Sequence, residues 1–395
     1  MKKKKFLRVL TGAMAAVMLV SSAVPAEAAV TPEKYGGGAL ERNGFKEISD
    51  EWFTADGDWN NSKAPNAIDP TMFYGADNKL YMVYGSWSGG LFILEVDKET
   101  GQAIYPGVDG VEPTSGNRVD RYFGTHIAGG NHESGEAPFI DYDPATGYYW
   151  LYETYGGLTA KGGYNMRLFR SKNVYGPYLD AAGNNAANSG KNSNDYGVKL
   201  IGNYRFLNQP GYRAAGHNSA LIDDDSSRYL FFHQRFDEPE NQTERHELRV
   251  RQQFLNEDNW PVTAVYEYRN EKIGHYDDAK VLGDYEVINH GKTSDGEMLQ
   301  SKIITLAQGG TVSGEMTGTW SKKQGPGYDY VTITADGVTF KGVFFEQQDE
   351  TAQKNAVMTF TAIGNNNESL WGSAIKMTDE VKIGLAEAEL DKSIP

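Results

Sequence analysis

The sequence predicts an all-β protein, a propeller-type domain followed by a small barrel, on three observations. Helical periodicity is almost absent: short runs rich in Tyr, Phe, Val and Ile alternate with Gly, Asn and Asp turns. One unit occurs three times: an ionisable residue, a short apolar strand, an Asp/Gly/Ser turn and an aromatic strand with a tyrosine 12 residues after the ionisable one. The units start at Asp69, Glu136 and His217, spaced 67 and 81 residues apart. Shared grammar at long, irregular spacing suits propeller blades with long loops.

The elements follow in chain order. Residues 1–28 read as a secretion signal: Lys2 to Lys5 and Arg8 are cationic, Val9 to Val24 is mostly apolar, and Ala26-Glu27-Ala28 is a small-x-small cleavage site. The apolar run is shorter than the roughly 20 residues that span a bilayer, so no membrane association is expected. Residues 29–60 form an N-terminal segment, and residues 61–278 a propeller-type domain with three evident blades. Within it, the polar stretch Ala181 to Gly197 reads as a mobile surface loop. The third unit runs on through His246-Glu247-Leu248-Arg249-Val250 and closes near Asn259-Trp260-Pro261. Residues 281–395 read as a second, smaller β domain, with strands at Lys302 to Leu306, Tyr330 to Thr334, Val338 to Phe345, Ala356 to Ala362 and Leu370 to Lys376. The Asp336-Gly337 pair between two of these is a hairpin signal. Nothing in the second domain looks catalytic.

Composition narrows the function. The 395 residues carry a formal charge of -15. Residues 1–28 hold five positive and one negative charge, so cleavage there leaves -19. Such a chain repels nucleic acid and anionic lipid, whereas a neutral polymer is a compatible partner. There are no cysteines, so a secreted form would rely on core burial or a bound metal. The 24 tyrosines and 7 tryptophans suit both sugar stacking and β cores.

Equivalent positions on successive blades converge on the propeller axis, so Asp69, Glu136 and His217 are expected to share one cleft. Two carboxylates flanking a bond are what glycoside hydrolysis needs. The proton donor must keep its proton near neutral pH, which partial burial and a neighbouring negative charge favour. Ala137-Pro138-Phe139 and Asp69 would supply both to Glu136. Each residue alone has a plainer reading, as a turn former or a hydrogen-bonded core residue. The shared register is what argues for function. His217 on the axis could ligate a metal through a neutral ring nitrogen. With one such His and no Cys, a hard, largely hydrated ion fits better than zinc. Trp87, in the loop Gly85 to Gly90, reads as a sugar platform or as an ordinary half-buried aromatic. His246-Glu247 lacks the second His of the zinc protease motif, and no phosphate loop or dinucleotide fingerprint is present.

Five segments carry a closer likeness: NAIDP at Asn66 to Pro70, YGSWSGG at Tyr84 to Gly90, GEAPFI at Gly135 to Ile140, GGYNMRLFRSKNVYGPYLD at Gly162 to Asp180, and GHNS at Gly216 to Ser219. In these segments the chain resembles the secreted endo-1,5-α-L-arabinanases of glycoside hydrolase family 43 over about residues 60 to 265, and its C-terminal part resembles the barrel appended to some of them. The resemblance implies a five-bladed propeller that hydrolyses internal α-1,5 links of arabinan, or of another arabinose-containing plant polysaccharide, with inversion. It makes Glu136 the general acid and Asp69 the aspartate that tunes and orients it. It makes His217 the histidine near a bound ion, often calcium. Substrate contacts would fall on Asn66, Ala67, Ile68 and Asp69, on Ser86, Trp87 and Ser88, and on His132, Glu133, Ser134, Gly135 and Glu136. A secreted monomer is expected. The family's general base, an Asp in a His-Asp-Pro motif, and its Ala-Pro-Asp blade have no match before Asp69. Asp50, Asp56 and Asp58 do not sit in the matching setting. The sequence therefore predicts a chain lacking two blades and the base, and leaves a non-catalytic arabinan-binding protein as the alternative.

Overall fold

Aromatic and β-branched runs separated by short turns can satisfy their backbone groups only by pairing with one another. The computed structural model, which describes residues 50–237 and 245–376, shows that pairing throughout. The predicted signal segment and residues 29–49 lie outside the described residues. The chain divides into two compact units at Asn60/Asn61. Among the described residues of the first, the 3-10 turn Asp50–Trp52 leads to a bridge between Phe53 and Trp59, whose rings meet edge to face at 5.8 Å.

The second unit begins with three antiparallel sheets in succession. The first is a meander of Thr71–Tyr74, Leu80–Tyr84 and Leu91–Val96, extended by Gly124–Ala128 and shorter strands. The second is a four-stranded meander of Glu136–Asp143, Tyr148–Tyr155, Asn165–Ser171 and Val198–Ile201. The third holds Tyr204–Arg205, Gly211–Ile222, Arg228–Phe236, His246–Leu255 and Pro261–Thr263. Each recurring sequence unit forms one hairpin. The tyrosine 12 residues on pairs across its turn, as in Phe73 with Tyr81, Asp143 with Tyr148, and Leu221 with Tyr229. Meander sheets in succession are the repeating unit of a propeller.

Eight strands, Gly283–Asn289 through Ser369–Ile375, then close into a barrel. All five strands expected there form. Three others, Gly283–Asn289, Thr311–Gly314 and Gly318–Gln324, escaped notice because two of them are short or Lys-rich and largely exposed. Asp336 and Gly337 make the predicted two-residue turn, with φ of 51° and 83° as a type I′ turn needs. The barrel interior is filled by Tyr285, Ile304, Ile333, Phe344 and Phe360. Its outer face shares a second core with the sheets, where Val343, Phe345, Ile363 and Trp371 pack with Trp150, Phe232 and Trp260.

One expectation is overturned. The stretch Ala181 to Gly197 is not a plain surface loop: it forms the 3-10 turns Ala186–Lys191 and Ser193–Asp195, and Ala186, Ser189 and Gly190 are buried. Its small residues fit against backbone. A Cβ on Gly190 would lie 2.6 Å from the carbonyl oxygens of Gly129 and Gly130. No helix among the described residues is long and apolar enough to cross a membrane.

Candidate active site

Glu136 opens the first strand of the second sheet, and the strand register slips between Glu136 and Phe139. Such a bulge re-aims the side chain at the strand's mouth. Its half-buried carboxyl accepts three hydrogen bonds. The Trp87 indole N–H donates to Oε2 at 3.0 Å and the Ser86 hydroxyl to the same oxygen at 3.3 Å. The Tyr164 hydroxyl donates to Oε1. Asp69 lies alongside, its Oδ2 accepting the Ala137 N–H at 3.3 Å. His217 reaches the same place from the third sheet: its N–H donates to Thr154 Oγ1 at 3.0 Å, and Thr154 is the register partner of Glu136. The structure thus brings the heads of the three sequence units together around the ring of Tyr164.

Tyr164 is fully buried and was missed in the sequence, where nothing about a Gly-Gly-Tyr turn signals a partner 28 residues away. Burial, then the negative charges of Glu136 and Asp69, hold its hydroxyl protonated far above the ordinary tyrosine range. Its ring stacks on His233 at 5.5 Å, and His233 meets His246 at 5.7 Å. Burial pushes His233 down to about 4, with Arg235, His217 and His246 adding to the shift, so its ring is neutral at physiological pH. Gly216 is required here, since a Cβ would lie 2.4 Å from the Tyr164 ring.

Of the other predicted contact residues, those at 86–88 and 132–135 form two loops pinned together by main-chain bonds. Trp87 N–H donates to the Gly135 carbonyl at 2.7 Å, and His132 N–H to that of Ser88 at 2.9 Å. The Trp87 and His132 rings lie 5.9 Å apart. Asn66, Ala67, Ile68 and His132 are exposed, and Glu133 is half-buried. Ser86, Ser88, Ser134 and Gly135 are buried, and Ser134 Oγ takes the Gly156 N–H at 2.7 Å. Asp69, Trp87, Ser88, Asn131, His132, Ala137 and His217 all have φ between 38° and 59°. Left-handed backbone costs a non-glycine residue about 1–2 kcal/mol, and such strain concentrates at functional sites. Behind Gly135 lies Glu153, fully buried with its Oε2 unpartnered and its Oε1 accepting the Tyr155 hydroxyl at 3.3 Å. Burial pushes its carboxyl up to about 8.

The donor set for an ion is thin. Among the described residues no group of three or more His, Cys, Asp or Glu side chains could hold a metal. At His217 the structure offers one exposed imidazole, with the next residue, Asn218, holding two buried, unpartnered amide atoms. Calcium takes about 6 to 8 oxygen ligands. These residues fit it only if water fills most of the shell.

Residues 49–261 match the family model described as glycosyl hydrolases family 43, and residues 265–372 one described as a C-terminal lipocalin-like domain. Among curated proteins, the extracellular endo-α-(1→5)-L-arabinanase 2 of Bacillus subtilis is 42% identical over 79% of this chain. The extracellular endo-α-(1→5)-L-arabinanase of Thermotoga petrophila is 38% identical over 80% of it. The chain spans 65% and 66% of the length of these two relatives. Among solved structures, a family 43 glycoside hydrolase from Bacillus licheniformis superposes with a TM-score of 0.72 at 40% identity, covering 84% of this chain and 73% of its own. The Thermotoga petrophila endo-1,5-α-L-arabinanase also gives 0.72, at 37% identity, covering 81% and 70%.

Proposed function

Because the chain belongs to glycosyl hydrolase family 43, we propose that it cleaves internal α-1,5-arabinofuranosyl links of arabinan, with Glu136 as the proton donor. The observation that carries the reading is the Glu136 carboxyl itself: it stands at a strand mouth, is addressed by three donors, and has Asp69 against the next amide. The relatives named above as arabinanases support the substrate, and a chain of formal charge -15 suits a neutral polysaccharide. Their description as extracellular supports secretion through residues 1–28.

In this reaction Glu136 gives its proton to the glycosidic oxygen as the bond from that oxygen to the anomeric carbon breaks. Trp87 N–H can only donate, so it holds Oε2 in one orientation in both protonation states, whereas the Ser86 and Tyr164 hydroxyls can reverse as the proton leaves. Asp69 positions the acid through the Ala137 amide. Inversion also needs a base that removes a proton from water on the opposite face of the sugar. None of the described residues is assigned that role. A calcium ion would be held by the exposed imidazole of His217 and by water, and would supply positive charge beside the cleft.

The test is release of reducing ends from linear arabinan. Turnover is expected, and Glu136→Gln is expected to lower it by about 10²- to 10⁴-fold. The absence of the family's base motifs from the sequence favours one other reading, an arabinan-binding protein that does not cut. Retarded migration on arabinan gels with no product would establish that instead.

A further inference from the structure

The loop between the barrel strand Gly283–Asn289 and Leu299–Gln300, which pairs with Tyr204–Arg205 at the edge of the third sheet, runs against the second and third sheets. Its contacts are polar and directional. The Arg167 guanidinium, fully buried, donates to the Lys292 carbonyl, and Lys199 Nζ donates to that of Thr293 at 2.7 Å. At the tip, Ser294 Oγ accepts from Asn165 Nδ2 at 2.8 Å, and the same amide nitrogen donates to the Gly163 carbonyl at 2.8 Å. Backbones meet here without side chains between them. A Cβ on Gly163 would lie 2.1 Å from the Ser294 carbonyl oxygen, and one on Gly296 2.4 Å from that of Lys161. Gly163 and Asn165 flank Tyr164, whose hydroxyl is bonded to Glu136.

We propose that this barrel loop positions the candidate acid, with Ser294 acting through Asn165 and Gly163 to hold the Tyr164 hydroxyl on Glu136. Apolar packing elsewhere already joins the barrel to the sheets, so the loop adds little burial. What it adds is direction, since buried hydrogen bonds fix a geometry that side-chain packing alone leaves loose. Ser294 touches neither substrate nor reacting atoms and is a positioning residue. The inference rests on the reading of Glu136 as acid and deepens it by making the barrel part of the acid's machinery.

The experiment uses the full chain and two readouts. With glutamate labelled at its carboxyl carbon, the Glu136 resonance is identified by its loss in Glu136→Gln. At fixed pH it should move in Tyr164→Phe and move in the same sense in Ser294→Ala. It should return toward its original position in Ser294→Thr, which restores the hydroxyl, and stay put in Glu297→Gln, whose exposed side chain lies in the same loop. On arabinan, Ser294→Ala should lower kcat by about 10- to 100-fold with KM little changed, the pattern of a misplaced catalytic group. If the resonance moves in Tyr164→Phe but not in Ser294→Ala, the loop does not position the acid and the proposal fails. If it moves in both while the protein releases no product from arabinan, the positioning stands and the proposed function is what fails.

Discussion

Glu153 lies behind Gly135, the residue before the candidate acid, and its burial makes a pH prediction with a definite sign. Its carboxyl is raised from 4.5 to about 8, chiefly by burial, with the Tyr155 hydroxyl and Arg167 opposing. The folded protein holds this proton more tightly than the unfolded chain. The stability it contributes is complete below about 4.5 and is lost as pH rises through about 8. Glu153→Gln keeps the shape and removes the titration. The wild type should therefore lose Tm relative to the variant between pH 5 and pH 9, read by calorimetry at both. An equal gap at the two values would show that the carboxyl does not titrate in that window. The same buried cluster shows what sequence could and could not reveal at this scale. Asp69, Glu136 and His217 were legible because each heads a repeated unit, and repetition implies a common place in space. Glu153 and Tyr164 head nothing. Glu153 reads as a lone charged residue near the end of an aromatic strand, and only the cross-strand pairing with Arg167 places it in the interior.

Among the elements, the insert after the second sheet's third strand carries the clearest test. Ser189 is fully buried, and its hydroxyl accepts the Gly129 N–H at 3.0 Å, beside a longer bond from the same N–H to the Ala186 carbonyl at 3.2 Å. Asn185 caps the turn by accepting from the Ala187 N–H at 3.1 Å. Ser189→Ala should cost about 1–3 kcal/mol, the usual effect of stranding a buried partner, and urea denaturation measures it. A change within about 0.5 kcal/mol would mean that the insert rests on the surface as its composition suggested. The composition misled for a physical reason. Ala, Ser, Gly and Asn are the residues of a solvated loop, and they are also the residues small enough to lie against bare backbone, and only the close approach of Gly190 to Gly129 and Gly130 separates the two cases. Hairpins were easier. Asp336-Gly337 demands left-handed backbone at both turn positions, so its chemistry names its geometry.

At the scale of the molecule, the change of character near residue 278 marks where the barrel begins, but not how far it depends on the sheets before it. Alternation along Val338–Gln348 shows that successive residues face opposite ways. It cannot show that Phe344 fills the barrel while Val343 and Phe345 fill a core shared with the second and third sheets. Trp371 lies in that shared core, fully buried, with Tyr204 at 5.3 Å and the Arg251 guanidinium 4.9 Å from its ring. A core that spans both parts couples their unfolding, because neither can open without exposing the other's apolar face. Trp371→Ala should therefore destabilise the whole by about 3–5 kcal/mol, the range for deleting a large aromatic from a packed interior. Hydrogen exchange distinguishes this from a local effect. In the variant, amides of Val338–Gln348 in the barrel and of Arg228–Phe236 in the third sheet should lose protection together and by similar factors. Loss confined to the barrel strand would show two independent cores, and would leave the loop at Ser294 as the barrel's main tie to the candidate acid.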